Sequence, residues 1–364
     1  MEKITYKLKE KAGKPKLPEK LGFGIYFSDH VFEMDYAPEI GWHNPVIKPL
    51  EDIAMHPASM FIHYGQAIFE GMKAFKTQKG EVTIFRPEKH FERLNRSARR
   101  LCIPEVDANF MVHALTELVN IDRDWIPTKK GESLYIRPFV YGSDHFLGVK
   151  QSGGYKLIIL LSPVAAYYPE GFKPVKILVQ DKYVRAVRGG IGECKTPANY
   201  AASLYAANEA QKMGYTQVLW LDAIEQKYIE EVGTMNIFVR FKDEIATPKL
   251  SGTILPGVTR DSVIQILKDW KMKITERNVS IDEVISAHKE GKLVSIFGTG
   301  TAAVISPVGW LKYKDIEMTI NGGEPDDLSL KLFDAITSIQ YGLAEDKHNW
   351  ITHVNKVEAE AEAK

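Results

Sequence analysis

A lysine set among small residues is the first position that could do chemistry. In the stretch RAVRGGIGECKTPANY, from Arg185 to Tyr200, glycines lead up to Lys195 just ahead of a helix that Pro197 starts. Most lysines are solvated surface groups. One held beside Cys194, Thr196 and Pro197, with few competing charges, can lose its proton and form an imine with an aldehyde. Downstream, EVGTMN puts Glu231 at the entrance to a hydrophobic strand, where it needs a cationic partner such as a protonated ring nitrogen. Two turns could hold an anion. LPGVTR, from Leu255 to Arg260, opens a helix and leaves backbone N–H groups at a positive dipole end. GTGTAA, from Gly298 to Ala303, fits G-x-G-x-x-A after a strand, but a dinucleotide fingerprint needs a helix next. Val304-Ile305-Ser306-Pro307 is strand-like instead. What remains is a tight anion-binding turn with the Thr299 and Thr301 hydroxyls beside it. No Walker A sequence occurs, so a nucleoside triphosphate is not the natural ligand.

Other chemistries fall away. The ten histidines include no H-E-x-x-H, and His56 and His63 lack the spacing of a zinc site. Ser143-Asp144-His145 is contiguous and cannot form a triad, and there is no G-x-S-x-G elbow. Two cysteines, Cys102 and Cys194, make neither a disulfide framework nor a thiolate metal site and point to a reducing compartment. Lys plus Arg is 47 and Asp plus Glu is 47, so the general electrostatic footprint of a nucleic-acid binder is missing. The lysine-rich start has no apolar core and no Arg, unlike a signal or transit peptide. The apolar run around Leu157 to Leu161 is too short to span a bilayer. A cytoplasmic protein without a membrane or nucleic-acid partner is expected.

With 364 residues and 45% hydrophobic content, the chain can build about two cores. Residues 1–20 read as a solvated arm with seven Lys and three Glu. A small N-terminal domain follows over 21–168. Strand patterning lies at Thr83 to Arg86, Ser133 to Tyr141 and Tyr155 to Leu161; helical periodicity lies at Lys89 to Leu101 and Asn109 to Asn120. YYPEGFKP marks an interdomain linker, 169–183. The large C-terminal domain, 184–355, carries Lys195, and 356–364 is a polar tail. Strands fit Val175 to Gln180, Gln217 to Leu221, Asn236 to Arg240 and Leu293 to Phe297. Helices fit Pro197 to Met213, Val258 to Trp270 and Leu328 to Ala344. The pattern predicts an α/β fold of two domains with α+β-like mixed sheets and a ligand in the crevice between them.

GGIGECKTPANYAASLYA, EVGTMN, LPGVTR, FGTGTAAV, HYGQAIFEGMKAF and SLYIRP together resemble the branched-chain amino acid aminotransferases. These are fold-type IV enzymes that depend on pyridoxal 5′-phosphate. The resemblance runs from about Phe23 to near Tyr313, most of the chain. It implies that Lys195 forms the internal imine with the cofactor and carries the proton, that Glu231 faces the pyridine nitrogen, and that Tyr200 hydrogen-bonds the phenolic oxygen. Thr234 belongs to the same cofactor-binding set. The implied phosphate cup combines Arg93, Arg185, the backbone of Val258 and Thr259, and Thr301. Phe23, Tyr64, Phe69, Tyr135 and Tyr167 fall where the family builds its apolar substrate pocket. Leu147 and Val149 match a loop that reaches the neighbouring subunit's site in a homodimer. The Thr301-Ala302 backbone would receive the α-carboxylate, and Arg137 the second carboxylate of glutamate.

The implied reaction interconverts L-leucine, L-isoleucine or L-valine and 2-oxoglutarate with the branched 2-oxo acid and L-glutamate. Two rivals share the fold, a D-amino acid aminotransferase and an aminodeoxychorismate lyase; a third is a module that only binds a phosphorylated metabolite. One departure is plain. Where some animal members carry Cys-x-x-Cys, this chain has Ala303 and Ser306, so redox switching by that pair is not expected.

Overall fold

Alternation along each strand decides which side chains the first sheet buries and which it presents on its other face. In Ser133–Gly142, Leu134, Ile136 and Val140 enter a core, while Tyr135, Arg137 and Phe139 alternate with them. Met72 of Met72–Lys76 enters the same core, as does Ala74. Lys73 between them sits in register with Tyr135, so the two share the opposite face. The helices Pro87–Arg100 and Ala108–Ile121 close this core with Phe91, Leu94, Met111, Leu115 and Leu118. Each helix has a local reason to begin where it does. Pro87 occupies the first turn of one, and the Asp107 carboxylate accepts the Asn109 and Phe110 N–H groups at the start of the other.

The computed structural model describes residues 3–10, 15–165 and 172–356, divided into two units, Met1–Tyr167 with Ser338–Lys364, and Tyr168–Thr337. The sheet of the first unit runs in the order Thr5–Tyr6, Gly41–Pro49, His30–Ala37, Tyr155–Val164, Ser133–Gly142, Met72–Lys76, Val82–Phe85 and Ile351–Val354. Ala67–Phe69 also pairs with Ser133–Gly142.

In the second unit the strands Ile229–Val232, Gln217–Leu221, Val175–Gln180, Val304–Tyr313, Leu293–Gly300 and Met235–Phe241 follow one another in the sheet. Pairing of Ile229–Val232 with Met235–Phe241 through Glu231↔Asn236 and Val232↔Met235 closes that path into a ring. Phe238 and Phe297 pair in register, and their rings stack with centroids 5.2 Å apart. The helix Pro197–Lys212 packs Ala206 and Ala210 on Val218 and Trp220. Val258–Asp269 and Ile281–Lys289 complete the helices that concern the ring.

The mixed α/β class with α+β-like sheets is found, with three differences in organisation. Residues 3–10 of the expected solvated arm carry an edge strand: Thr5 and Tyr6 pair with Val46 and Ile47, and Ile4 is buried in the core. Ile4 is helped there by the Lys7 N–H donating to the Ile47 carbonyl at 2.8 Å and the Tyr6 hydroxyl donating to Glu117 at 3.1 Å. Of the expected linker 169–183, residues 169–171 lie outside the described residues, and the strand expected at Val175–Gln180 is found and belongs to the second sheet, so those residues are not linker. From Ser338 onward the chain belongs to the first unit and not to a C-terminal domain spanning 184–355. The reason is nonlocal pairing. Ile351–Val354 runs antiparallel to Val82–Phe85, and the Tyr341 hydroxyl donates to the Glu132 carbonyl at 2.6 Å. Of the polar tail, 357–364 lies outside the described residues.

Burial lowers the Lys73 amine to about 8. An unfolded lysine titrates at roughly 10.4, so the unfolded chain binds more protons between these values and stability rises with pH across that window. Thermal midpoints of the native chain should therefore climb between about pH 8 and 10 relative to those of Lys73→Met, which lacks the titration. Parallel pH profiles for the two proteins would refute this.

Candidate active site

Lys195 reaches its place through a chain of backbone restraints. The segment before it folds into consecutive turns, and Cys194 N–H donates to the Ile191 carbonyl at 2.9 Å. Asn199, in the first turn of the helix Pro197–Lys212, donates back to the carbonyls of Ile191 and Cys194 at 2.8 and 2.9 Å. One amide thus ties the helix to the loop that carries the lysine. Lys195 Nζ then donates to the Tyr200 hydroxyl at 2.7 Å. Cys194 is 1% exposed, which is packing and leaves no access for a nucleophile.

Glu231 is buried on the strand that begins the closing hairpin. Its Oε2 lies 2.9 Å from Arg185 Nε, and its Oε1 accepts the Leu255 N–H at 2.7 Å. Arg185 also donates through Nη1 to the carbonyls of Gly192 and Thr253, at 3.2 and 2.7 Å. Arg185 is therefore the buttress of Glu231, whereas it was expected in a phosphate cup. Its charge is matched to a buried carboxylate before any ligand arrives.

On the other side of the hairpin, Asn236 Nδ2 donates to the Leu255 carbonyl at 2.8 Å. The two strands thus hold both polar groups of Leu255. This fixes Pro256 and Gly257 ahead of the helix Val258–Asp269, whose N-cap, Gly257, has no side chain to offer its first N–H groups. A Cβ on Gly257 would lie 2.0 Å from Asn236 Oδ1, so the close approach requires glycine. Val258 and Thr259 form the first turn, both buried. Across the sheet, Asn236 pairs with Thr299. Thr299 Oγ1 is buried without a hydrogen-bond partner among the described residues. Thr301 and Ala302 follow in the turn, which ends at Val304 with φ 62°. That backbone is costly for a β-branched residue and is held by the strands on either side. Arg185, Asn199, Tyr200, Ser203, Glu231, Gly233, Thr234 and Leu255 line one cleft.

Within the first unit a second group of expected residues converges. Arg137 Nη2 donates to the Tyr135 hydroxyl at 2.9 Å, and the guanidinium lies 4.7 Å from the Phe69 ring centroid. Phe23 meets Tyr135 edge-on at 5.0 Å. Arg137 Nε is buried without a hydrogen-bond partner among the described residues. The Tyr64 hydroxyl donates to the Leu147 carbonyl, and Leu147 and Val149 are 64% and 84% exposed. Tyr167 lies outside the described residues. Arg93 is buried, with Nε 2.7 Å from Glu70 Oε1 and Nη2 2.8 Å from Glu70 Oε2.

Local sequence signals point to the reactive groups and not to their holders, Asn199, Asn236, Glu70 and Gly71. All four stand inside the motifs quoted above, but nothing local to a residue shows which group distant in the chain it will meet.

Residues 67–309 match the model of the family described as amino-transferase class IV. The chain is 54% identical to branched-chain-amino-acid aminotransferase 2 of Bacillus subtilis over 337 residues, covering 93% of each protein. It resembles the crystal structure of the Escherichia coli branched-chain amino acid aminotransferase with a TM-score of 0.76 at 26% identity, over 90% of this chain and 100% of the other. In fold it also resembles the branched-chain amino acid aminotransferase from Thermobaculum terrenum in its PLP (holo) form. There the TM-score is 0.73 at 24% identity, over 90% of this chain and 99% of the other.

A Cβ on Gly71 would sit 2.0 Å from the Tyr135 hydroxyl oxygen. Gly71→Ala should cost about 1–3 kcal/mol of stability by overpacking, or swing Tyr135 away from Arg137. An unchanged thermal midpoint with Tyr135 unmoved in a crystal structure of the variant would contradict this.

Proposed function

We propose that this chain, which belongs to the class IV aminotransferase family, carries the amino group of L-leucine, L-isoleucine or L-valine to 2-oxoglutarate and back. It is a branched-chain-amino-acid transaminase and uses pyridoxal 5′-phosphate. The observation that carries the reading is the Lys195 amine 2.7 Å from the Tyr200 hydroxyl in the unit that also holds the Arg185–Glu231 pair.

The donor set fits the cofactor. Glu231 is a buried carboxylate held in place by Arg185 and the Leu255 N–H, the kind of acid that suits a protonated ring nitrogen. The helix start at Val258, behind a glycine N-cap, suits a phosphate, with the Thr301 turn as a further donor. The bound cofactor supplies an aldehyde that takes up amines and a protonated ring that accepts electrons from the substrate's Cα.

The chain's own groups do the rest. Lys195 would act as the base that takes the proton from the substrate's Cα and as the acid that gives it back. Tyr200 orients the lysine and shares its hydrogen-bonding capacity with the phenolic oxygen. Glu231, anchored at both oxygens, would face the ring nitrogen of the bound cofactor and favour its protonated form. Arg93, Val258, Thr259 and Thr301 are assigned to the phosphate, and Thr301 with Ala302 to the α-carboxylate. Thr234 lies beside Glu231 in the same cleft. Phe23, Tyr64, Phe69 and Tyr135 are assigned to the branched side chain. Arg137, aligned by Tyr135, is assigned to the distal carboxylate of glutamate. One pocket then serves both half-reactions because the guanidinium is stacked on rings that also suit aliphatic groups.

The proposal includes a cytoplasmic homodimer. Leu147 and Val149 support it as exposed apolar residues on a loop assigned to the partner's pocket. Among the described residues no helix is long and apolar enough to cross a membrane.

The purified protein should be yellow, lose the band on addition of leucine alone, and regain it with 2-oxoglutarate. Lys195→Ala should lower turnover by at least about 10²-fold, the scale of a lost general base, while the protein still folds. Near-normal turnover of that variant would sink the assignment of Lys195. A band indifferent to leucine but bleached by a D-amino acid would sink the substrate assignment.

A further inference from the structure

We propose that Glu70 is a positioning residue for cofactor phosphate, acting through Arg93. The inference rests on the reading of Arg93 as a phosphate ligand and adds how its direction is set. Glu70 is fully buried, a place where a carboxylate persists only with charge partners. Arg93 supplies them through two nitrogens on one edge of its planar fork, Nε at 2.7 Å and Nη2 at 2.8 Å. His90, one helical turn earlier, places Nδ1 2.8 Å from Glu70 Oε2. Glu70 itself is anchored by the strands: its N–H donates to the Pro138 carbonyl at 2.8 Å, and the Gly71 N–H donates to Oε2 at 3.2 Å.

These contacts define a frame. Two nitrogens locked to one carboxylate fix the plane of the guanidinium, so the direction of Nη1 is fixed with it. The carboxyl stays ionised: burial pushes it toward protonation, but Arg93 and His90 hold it well below the usual range. A negative charge beside a ligand for a dianion is electrostatically adverse. Its presence is explained if it gives aim rather than charge.

Charge and aim predict opposite signs for Glu70→Gln. If Glu70 acted only as a nearby charge, its removal would strengthen phosphate binding. As a positioning residue, Gln keeps the volume but turns one acceptor into a donor facing Nη2, and the fork loosens.

The test uses the full chain stripped of cofactor and then titrated with pyridoxal 5′-phosphate and with pyridoxal, which lacks the phosphate. Glu70→Gln should weaken pyridoxal 5′-phosphate roughly tenfold or more, the scale of one charge-assisted hydrogen bond, and leave pyridoxal unchanged. Arg93→Ala should reduce the same preference, and Glu70→Gln added to it should change nothing further. Equal or tighter phosphate binding by Glu70→Gln, alongside a loss in Arg93→Ala, overturns the proposal and spares the Arg93 reading. No loss in Arg93→Ala overturns both. If Glu70→Gln does not fold, Glu70→Asp keeps the charge but is one methylene too short to grip both nitrogens. The same loss of preference is expected from it, and an unchanged preference overturns the proposal.

Discussion

The peptide of Leu255 is gripped from two strands at once. Glu231 takes its N–H and Asn236 takes its carbonyl. This grip joins the closing hairpin of the second unit's ring to the loop that starts the helix Val258–Asp269. Because Glu231 is also paired with Arg185, and Arg185 with the carbonyls of Gly192 and Thr253, the loop leading to Lys195 shares the same restraint. The acid, the lysine loop and the helix start are thereby parts of one hydrogen-bonded frame. Loosening any member would leave a buried charge or a buried amide unsatisfied, which is costlier than losing a contact.

Buried charge recurs as the organising device of the first unit. Glu70 with Arg93 and His90, and Asp122 with His30, each place a carboxylate inside the fold with a cationic or hydrogen-bonding partner. Such pairs add little net stability compared with an apolar filling. Their contribution here is direction. Arg137 is treated differently: it is flanked by Phe69 and Tyr135, and its orientation comes from ring faces and one hydroxyl.

Much of this is legible in the sequence, for local reasons. Lys195 and Tyr200 are separated by one helix start, so a proline and a short loop announce their proximity. The helices around Arg93, Lys195 and Thr259 follow from periodicity and from Pro87, Pro197 and Gly257 at their starts. The helix Ile281–Lys289 carries a signal of the same kind, Ser280 accepting the Glu283 N–H, although its periodicity is too short to stand out. What cannot be read is long-range. Arg185 and Glu231 are far apart in the chain, and nothing in either neighbourhood says that a guanidinium will meet that acid before a phosphate. The strand Ile351–Val354 is a short run after a helix, and its partner Val82–Phe85 lies hundreds of residues earlier in the sequence. In residues 3–10 composition points to solvent and outweighs Ile4, one apolar side chain with a place in the core.

That late strand has a bearing on how the molecule is made. The ribosome releases Ile351–Val354 after every residue of the second unit, so the nascent first unit must wait with Val82–Phe85 as an open edge. All four residues of that edge are buried in the finished fold, and an unpaired apolar edge is a template for wrong partners. The polypeptide therefore closes its earlier-synthesised half with a strand made after the whole of the other. The first unit cannot be finished until the second has left the ribosome.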